Sequence, residues 1–189
     1  PIYHTSTFAQ KSPGVHTGYE YSRADNPTRT ALEHALESIE NGARGLAFSS
    51  GLAAIDCVLR LLKPNDEVIA MDDLYGGTYR LFTKFYQDLG IKFHFIDISD
   101  VELFQSKIND KTKLVWIETP TNPLMKLADI GAIAKITKQN NILFAVDNTF
   151  ATPYLQKPLD LGADIVMHSA TKYLGGHSDV IAGALVIKD

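Results

Sequence analysis

The stretch "HSATKYLGG" (168–176) places Lys172 just after a short apolar run, among small hydroxyl and glycine residues. The run "DIVMH" (164–168) predicts a buried strand, so Lys172 would lie just beyond a strand end. Desolvation there, beside Ser169 and Thr171, would favour the neutral amine, which is the form that attacks carbonyl carbons. The position therefore indicates covalent chemistry with an aldehyde or ketone.

A carboxylate, Asp147, follows the preceding apolar run "ILFAV" (142–146). A buried charge without a partner is costly, so this carboxylate needs a hydrogen-bond donor or a cation. The partner could be Asn148, Thr149 or a backbone N–H, or it could be a cationic group of a bound ligand. If the two predicted strands are neighbours, Asp147 and Lys172 border one cavity.

The stretch "SSGLAAI" predicts a helix that begins near Ser50, Gly51 and Leu52. The free N–H groups and the dipole at a helix start suit a phosphate, although the same residues also suit an ordinary helix cap. The sequence has neither a G-x-G-x-x-G turn after its first strand nor a G-K-[ST] loop. A bound phosphate would therefore not belong to a dinucleotide or ATP held in the usual way.

The elements that must position these residues alternate along the chain. Short apolar runs predict strands, and segments of helical periodicity lie between most of them, so we expect a three-layer α/β domain with a mainly parallel, seven-stranded sheet. In such sheets, ligands bind outside the carboxyl ends of the strands. The predicted strands are 45–49, 67–71, 92–96, 113–118, 142–146, 164–168 and 183–187, and the predicted helices after the first are 51–62, 77–89, 100–108 and 129–140.

The first helix is predicted within "NPTRTALEHALESIENG" (26–42). Pro27 marks its start, Thr28 is the predicted cap, and Gly42 is the predicted stop. Its predicted apolar stripe consists of Leu32, Ala35, Leu36 and Ile39.

The bulk composition excludes several classes of protein. A net charge of −4 over 189 residues gives no reason to expect nucleic acid or an anionic membrane as partner. No apolar run approaches the roughly 20 residues of a membrane span, and we expect no metal site. The lone cysteine, Cys57, falls in a helical pattern and is predicted to be a core residue. One cysteine fits a reducing compartment, so the expected location is the cytoplasm.

One cofactor requires all of these groups together. Pyridoxal phosphate needs a Schiff-base lysine, an acid beside its pyridinium nitrogen, a phosphate cup and a flat group against its ring. Lys172 and Asp147 supply the first two, and Tyr75 in "DDLYGGT" supplies the last. The predicted phosphate cup consists of Ser50, Gly51, Leu52, Ser169 and Thr171.

Six ordered motifs resemble one family along the whole chain. They are "YEYSRADNPT", "SSGLAAI", "DDLYGGTYR", "WIETPTNP", "VDNTFATP" and "HSATKYLGGHSD". The chain is similar to the pyridoxal-phosphate enzymes of cysteine and methionine metabolism. The resemblance implies the large cofactor domain of the aspartate-aminotransferase type (fold type I) and a sulfur-containing amino acid as substrate.

The resemblance also implies roles for single residues. Lys172 would hold the cofactor and move protons, and Tyr75 would stack on the ring and protonate the leaving group. Asn122 would lie near the phenolic oxygen, and Asp147 would pair with the ring nitrogen. Further implied contacts come from Tyr21 and Arg23, which reach a neighbouring subunit's phosphate site, and from Arg80, a weaker substrate contact.

The resemblance divides the chain into an arm (1–27) that serves the neighbouring subunit and a cofactor domain (28–189). The family's further C-terminal domain is expected to lie outside the cofactor domain and to be absent from this sequence, and a homo-oligomer, a dimer of dimers, is expected. The favoured activity is that of a cystathionine γ-lyase, by γ-elimination or γ-replacement. Cystathionine γ-synthase, methionine γ-lyase and O-acylhomoserine sulfhydrylase stay open. Alternatives from other classes are a non-catalytic remnant that binds the cofactor and a Rossmann-type nucleotide binder.

Overall fold

The computed structural model describes residues 1–188, and a seven-stranded sheet forms its centre. All seven predicted strands are present, each with boundaries within one residue of the prediction. An additional short hairpin, β1 and β2, lies in the arm. The strands are β1 (Gln10–Ser12), β2 (Val15–His16), β3 (Arg44–Phe48), β4 (Glu67–Met71), β5 (Lys92–Ile96), β6 (Thr112–Glu118), β7 (Leu143–Asp147), β8 (Ile165–His168) and β9 (Gly183–Ile187).

The strand order in the sheet is β3-β9-β8-β7-β6-β4-β5. Strands β8, β7, β6, β4 and β5 run parallel, and β9 is antiparallel to both of its neighbours, β8 and β3. The prediction of a mainly parallel sheet is confirmed, and the strands that precede Asp147 and Lys172 are neighbours. In the register of the sheet, Glu118 lies beside Asp147, and Asp147 lies beside Met167.

The predicted helices begin and end close to the expected positions, with two differences, and a short helix at Thr152–Leu155 was not predicted. The predicted helix 77–89 is a short helix that continues into a π-helical turn (Phe82–Tyr86), and the helix predicted for 51–62 ends at Leu59. The helices are α1 (Pro27–Glu40), α2 (Gly51–Leu59), α3 (Gly76–Leu81), α4 (Val101–Lys107), α5 (Ile130–Gln139) and α6 (Thr152–Leu155).

The ends of α1 differ from the prediction by a residue or two. The cap is Asn26 and not Thr28, because the Asn26 side chain accepts a hydrogen bond from the Thr28 N–H at 2.8 Å. The helix stops at Asn41, whose left-handed φ of 57° is well tolerated by asparagine, and not at Gly42. Both corrections concern asparagines that flank the helix.

The predicted apolar stripe of α1 is wrong in all but one residue. Leu36 is buried, whereas Leu32, Ala35 and Ile39 are exposed. The helix instead turns acidic side chains toward the edge strand β3. The carboxylates of Glu37 and Glu33 accept hydrogen bonds from the N–H groups of residues 45 and 47, at 3.0 and 3.1 Å, and so satisfy an unpaired strand edge.

Helices cover both faces of the sheet, which gives the predicted three layers. On one face, Leu36 of α1 packs against Val166 and Val186. On the other face, the residues of α2 join the large core that contains Met167 and Leu185. Cys57 of α2 is half-buried against this core rather than fully inside it. Within residues 1–188, no helix is both long and apolar enough to cross a membrane.

Candidate active site

A cavity of about 230 Å³ opens at the carboxyl ends of the parallel strands. Nine of the predicted site residues line it: Ser50, Gly51, Leu52, Tyr75, Asn122, Asp147, Ser169, Thr171 and Lys172. Thr149, which the sequence analysis named only as a possible partner of Asp147, also lines it. The remaining lining residues were not singled out from the sequence: Ile55, Glu118, Phe150, Met167 and Ile181. The parallel order of β6, β7 and β8 brings these distant segments to one edge of the sheet.

The loop that carries Lys172 is a series of tight turns after β8. The Lys172 N–H donates to the Ser169 carbonyl at 3.0 Å, and the Lys172 carbonyl accepts from the Gly176 N–H at 2.7 Å. The Thr171 hydroxyl accepts from the Ala182 N–H at 3.1 Å, which fixes the loop to the chain just before β9. Lys172 itself is exposed, so the expected desolvation of its amine is wrong for this chain. The physical reason is that the loop lies at the open mouth of the cavity.

Asp147 is buried at the end of β7, with 5% of its surface exposed. Its Oδ1 accepts hydrogen bonds from the Thr149 N–H at 3.0 Å and from the Thr149 hydroxyl at 2.5 Å. Within residues 1–188, no lysine, arginine or histidine forms an ion pair with it. Burial raises the pKa of Asp147, while the two hydrogen bonds from Thr149 and the field of His168 oppose that rise. The carboxylate thus has one local partner and room for a cation.

The start of α2 forms a cup of neutral donors. The Ser50 hydroxyl caps the helix by accepting from the Ala53 N–H at 3.1 Å. In the described part of the chain, the N–H groups of Gly51 and Leu52 have no backbone or side-chain acceptor. A Cβ on Gly51 would lie only 3.0 Å from the Ser169 Cβ, so glycine permits the close approach of α2 to the end of β8.

Glu118 connects three parts of the cavity, although the sequence analysis assigned it no role. It is the last residue of β6, and its Oε2 accepts from the Tyr75 N–H at 2.9 Å. Burial and the neighbouring Asp147 raise the pKa of Glu118 to about 8, and hydrogen bonds from the backbone N–H groups of Tyr75 and Asn122 oppose the rise. The signal available in the sequence was an acidic residue at the end of the apolar run "KLVWIE".

Two aspartates after β4 hold the loop that carries Asn122. The Asp73 carboxylate accepts from the Thr121 hydroxyl and from the Leu124 N–H, the latter at 3.0 Å. The ammonium of Lys126 lies 2.9 Å from an oxygen of Asp72. These contacts fix the loop on both sides of Asn122, and so they define where its amide lies at the edge of the cavity.

A buried polar network lies on the opposite face of the strand ends. The Glu40 Oε1 lies 2.5 Å from the His168 Nε2 and accepts from the Asn148 Nδ2 at 3.0 Å. The side chain of Gln156 donates to the Asn148 Oδ1 at 2.9 Å. Neither Glu40 nor His168 was predicted from the sequence, because the two side chains become partners only through the packing of α1 against β8.

Three predicted site residues lie away from the cavity. Arg23 stacks over the ring of Tyr21, with its guanidinium carbon 4.7 Å from the ring centroid, in the exposed arm. The arm contacts itself through the isolated bridge between Thr7 and Tyr21. Arg80 is exposed on α3 and does not line the cavity. Within one chain, therefore, the arm and Arg80 are separate from the other site residues.

The residues of the cavity fit pyridoxal phosphate. The unpartnered N–H groups of Gly51 and Leu52, with the hydroxyls of Ser169 and Thr171, form a set of neutral donors suited to a phosphate. The carboxyl of Asp147, which has no cationic partner, lies in the same cavity as the amine of Lys172. This donor set matches a ligand with a phosphate, a cationic ring nitrogen and an aldehyde.

Comparison with known proteins agrees with the fold and identifies the family. The family model described as "Cys/Met metabolism PLP-dependent enzyme" matches residues 1–189. The chain therefore belongs to this family, whose cofactor is pyridoxal 5'-phosphate.

The curated relatives differ from one another in name. The chain is 56% identical, over all of its length, to a "cystathionine gamma-synthase/O-acetylhomoserine (thiol)-lyase" of Bacillus subtilis, of which it covers 51%. It is 56% identical, over 98% of its length, to a cystathionine gamma-lyase of the same organism, of which it covers 49%. It is 53% identical, over all of its length, to a cystathionine beta-lyase of Coxiella burnetii, of which it covers 49%. The chain spans about half the length of these relatives.

Solved structures show the same fold. The crystal structure of metB from Corynebacterium glutamicum superposes with a TM-score of 0.98 at 50% identity; all of this chain and 50% of that one are covered. A cystathionine gamma-lyase from Lactobacillus plantarum, complexed with L-serine, gives a TM-score of 0.97 at 49% identity, over all of this chain and 49% of that one. At these identities the predicted fold type I domain is confirmed.

Proposed function

We propose that the chain forms the cofactor-binding part of an enzyme that cleaves or exchanges the carbon–sulfur bond of cystathionine or a related amino acid. The observation that carries the proposal is that Lys172, Asp147 and Tyr75 line one cavity with the cup at the start of α2. Cystathionine γ-lyase is the favoured activity. Cystathionine γ-synthase, methionine γ-lyase and O-acylhomoserine sulfhydrylase are the alternatives, and the names of the relatives add cystathionine β-lyase to them.

Lys172, Asp147 and Tyr75 each have a separate role in the proposed reaction. Pyridoxal phosphate, when bound, supplies a ring that accepts electrons from carbon atoms close to the substrate's amino group. The amine of Lys172 would hold the cofactor and, when free, would move protons at the α and β carbons of the substrate. Asp147 provides the negative charge for the ring nitrogen. Tyr75 protonates the departing sulfur, and proton transfer by a positioned group contributes about 10²–10⁴-fold.

A second, wider cavity is the proposed binding site for the substrate. Its volume is about 730 Å³, and it shares Lys172, Thr171 and Asn122 with the first cavity. Asp179 lines it as well, in the "GHSD" stretch. The substrate would therefore approach Lys172 from the side of the loop after β8, where the amine is exposed.

The test of cofactor binding is direct. We expect the protein to gain visible absorbance when pyridoxal phosphate is added, and borohydride to fix the cofactor on the peptide that contains Lys172. A fixed cofactor on another lysine would contradict the assignment. Absence of any fixed cofactor would favour a nucleotide binder.

The products of cystathionine then identify the activity. Cleavage on the four-carbon side of the sulfur releases cysteine and a four-carbon keto acid, whereas cleavage on the three-carbon side releases homocysteine and a three-carbon keto acid. We expect the first pair. The second pair would show a β-lyase, exchange of an activated homoserine with cysteine would show a γ-synthase, and cofactor binding without turnover would indicate a non-catalytic protein.

The arm, residues 1–27, is proposed to serve a partner subunit of a homo-oligomer, a dimer of dimers, with residues 28–189 as the cofactor domain. Arg23 supports this proposal because the phosphate cup offers only neutral donors, and a guanidinium binds phosphate with two parallel hydrogen bonds. In one chain Arg23 is outside the cavity, so a second subunit would have to supply it. The cytoplasmic location, inferred from the single cysteine, also stays a prediction.

Mixing two inactive variants tests the arm. Arg23→Ala and Lys172→Ala each remove one residue, and a mixed dimer contains one site with both residues intact. We expect subunit exchange to restore part of the activity. If hybrids form and activity does not return, Arg23 acts within its own subunit.

A further inference from the structure

The two acidic side chains of the cofactor cavity lie side by side. Glu118 ends β6, Asp147 ends β7, and the two residues are partners in the parallel register, so their side chains leave the sheet on the same face. Each has 5% of its surface exposed, and both line the same cavity. Two ionised carboxylates in such a place repel each other and each loses its hydration, so one of the pair retains a proton.

The hydrogen bonds show which carboxyl is better suited to be the anion. Asp147 Oδ1 accepts both an N–H and a hydroxyl of Thr149. The Glu118 carboxyl accepts only backbone N–H groups: that of Tyr75, on Oε2 at 2.9 Å, and that of Asn122. A second neighbouring carboxylate, Asp73, also acts on Glu118 and disfavours its charge.

The other titratable groups around the pair do not change this assignment. His168, on β8, favours the anionic form of Asp147 through its field. Lys172 lies in the same cavity but is exposed, and within residues 1–188 it makes no ion pair with Glu118 or Asp147. The Tyr75 ring, from α3, is 45% exposed and turns to the cavity, while its N–H holds Glu118.

We propose that Glu118 is a positioning residue that carries a proton at neutral pH, which leaves Asp147 as the single anionic side chain in the described lining of the cofactor cavity. The neutral carboxyl holds the backbone of Tyr75 through one oxygen and offers a hydrogen-bond donor on the other. Asp147 then faces the ring nitrogen without a competing anion. The pairing of Asp147 with the ring nitrogen rests on the proposed function, whereas the protonation of Glu118 does not.

The protonation can be measured without cofactor or turnover. The infrared carbonyl band of a protonated carboxylic acid is followed in the full chain from about pH 5 to about pH 9, where ordinary carboxyls are ionised. We expect a band that disappears with a midpoint near pH 8, as burial and Asp147 require. In Glu118→Gln this band should be lost, because the amide keeps the shape and the acceptor for Tyr75 but not the acid.

Two further variants make the test specific. Glu67→Gln is the matched control, because Glu67 is a buried strand-end glutamate whose pKa is about 2, so this substitution should leave the band intact. Asp147→Asn should retain the band and lower its midpoint by about one unit or more, since the neighbouring charge is gone. Circular dichroism establishes that each variant is folded.

Three results would overturn the proposal: absence of the band in the wild-type chain, its persistence with an unchanged midpoint in folded Glu118→Gln, or its loss in Asp147→Asn. The last result would place the proton on Asp147. A failure to bind pyridoxal phosphate with the expected band present would contradict the proposed function alone.

Discussion

Glu67 and Glu118 are buried glutamates at opposite ends of neighbouring strands, and their pKa values are shifted in opposite directions. Glu67 begins β4 at the amino end of the sheet, where it meets His94 at 2.7 Å, Asn109 at 2.9 Å and Lys92 at 3.4 Å. Hydrogen bonds, first from Asn109 and then from His94, lower its pKa to about 2. Glu118 ends β6 at the carboxyl end, and burial and Asp147 raise its pKa to about 8.

Both residues are glutamates with little exposed surface. Their pKa values differ because desolvation and the neighbouring Asp147 dominate at Glu118, whereas side-chain hydrogen bonds dominate at Glu67. At the amino end, the protein supplies donors from side chains for its own carboxylate. At the carboxyl end, it places two carboxyls side by side and leaves the N–H groups of Gly51 and Leu52 without partners among the described residues. Unsatisfied groups cost stability, and a ligand recovers that cost when it binds. The amino end thus serves folding, and the carboxyl end serves binding.

Substitution of a lysine should give the largest difference between the two ends of the sheet, measured as cofactor fixation and turnover. Lys172→Ala at the carboxyl end should abolish borohydride-fixed cofactor and turnover, because no other amine of residues 1–188 lines the cavity. Lys92→Ala at the amino end is the control and should retain both. Peptide mapping and a keto-acid assay provide the measurement. A fixed cofactor in Lys172→Ala would show that another lysine holds it and would contradict the expected difference between the two ends.

Substitution of an aspartate at either end of the β7–β8 pair should give the second-largest difference, measured as turnover. Asp147→Asn should reduce turnover by at least about 10²-fold with little loss of thermal stability, since it removes the charge that pairs with the ring nitrogen. Asp164, whose Oδ2 accepts from the Phe144 N–H at 2.8 Å, is the control at the amino end. Asp164→Asn should retain turnover per folded molecule. Near-normal turnover in Asp147→Asn would be incompatible with its role.

The two glutamates should respond to pH with opposite signs. The pKa of Glu67 is lower in the folded chain than in the unfolded one, so its stabilisation is present above about pH 4.5 and is lost as the pH falls toward 2. Glu67→Gln should lower the free energy of unfolding at pH 7 by about 2 kcal/mol, and the difference should shrink in acid.

The pKa of Glu118 is higher in the folded chain, so its contribution is present at low pH and declines as the pH rises toward about 8. Glu118→Gln should therefore gain stability relative to the wild type as the pH increases through this window. Urea unfolding at a series of pH values measures both variants. Parallel pH profiles for the two substitutions would refute the contrast.

A smaller effect is expected at Gly77. A Cβ there would lie 2.3 Å from the Cε1 of the Tyr75 ring, so Gly77→Ala must displace that ring. We expect a several-fold weaker affinity for pyridoxal phosphate and at most about 1 kcal/mol of lost stability, since the Tyr75 side chain is free to move. Gly131→Ala, where the nearest atom would be 3.4 Å away, is the control. Equal cofactor affinity in the two variants would show that the ring position is unimportant.

Much of the fold could be predicted because the strands are continuous apolar runs. All seven sheet strands and the helices between them, except the short α6, follow from short-range patterns. The antiparallel insertion of β9 between β3 and β8 could not be predicted, because strand pairing is a long-range choice. The exposure of Leu32 and Ile39 on α1 was also not predicted, because it too depends on contacts between distant segments. A helical pattern does not reveal that the facing strand needs acceptors from Glu33 and Glu37.

The site was predicted to the extent that its residues stand in recognisable motifs. Lys172, Asp147 and Tyr75 follow strand ends, and the parallel sheet brings strand ends together. Glu118 was missed because its importance comes from its register beside Asp147, which local sequence does not encode. The exposure of Lys172 was missed because desolvation depends on what surrounds the loop, and the sequence alone does not specify those neighbours.

The position of β9 determines when the cavity can form during synthesis. Edge strand β3 joins the sheet only through β9, and Gly183 at the start of β9 lies directly against the Ser50 carbonyl at the start of α2. The ribosome adds about 5–20 residues each second, so the phosphate cup waits on the order of ten seconds for its final strand. During that time β8 has one free edge. The part of the site at the start of α2 is thus completed late, because it depends on β9, which follows much later in the chain.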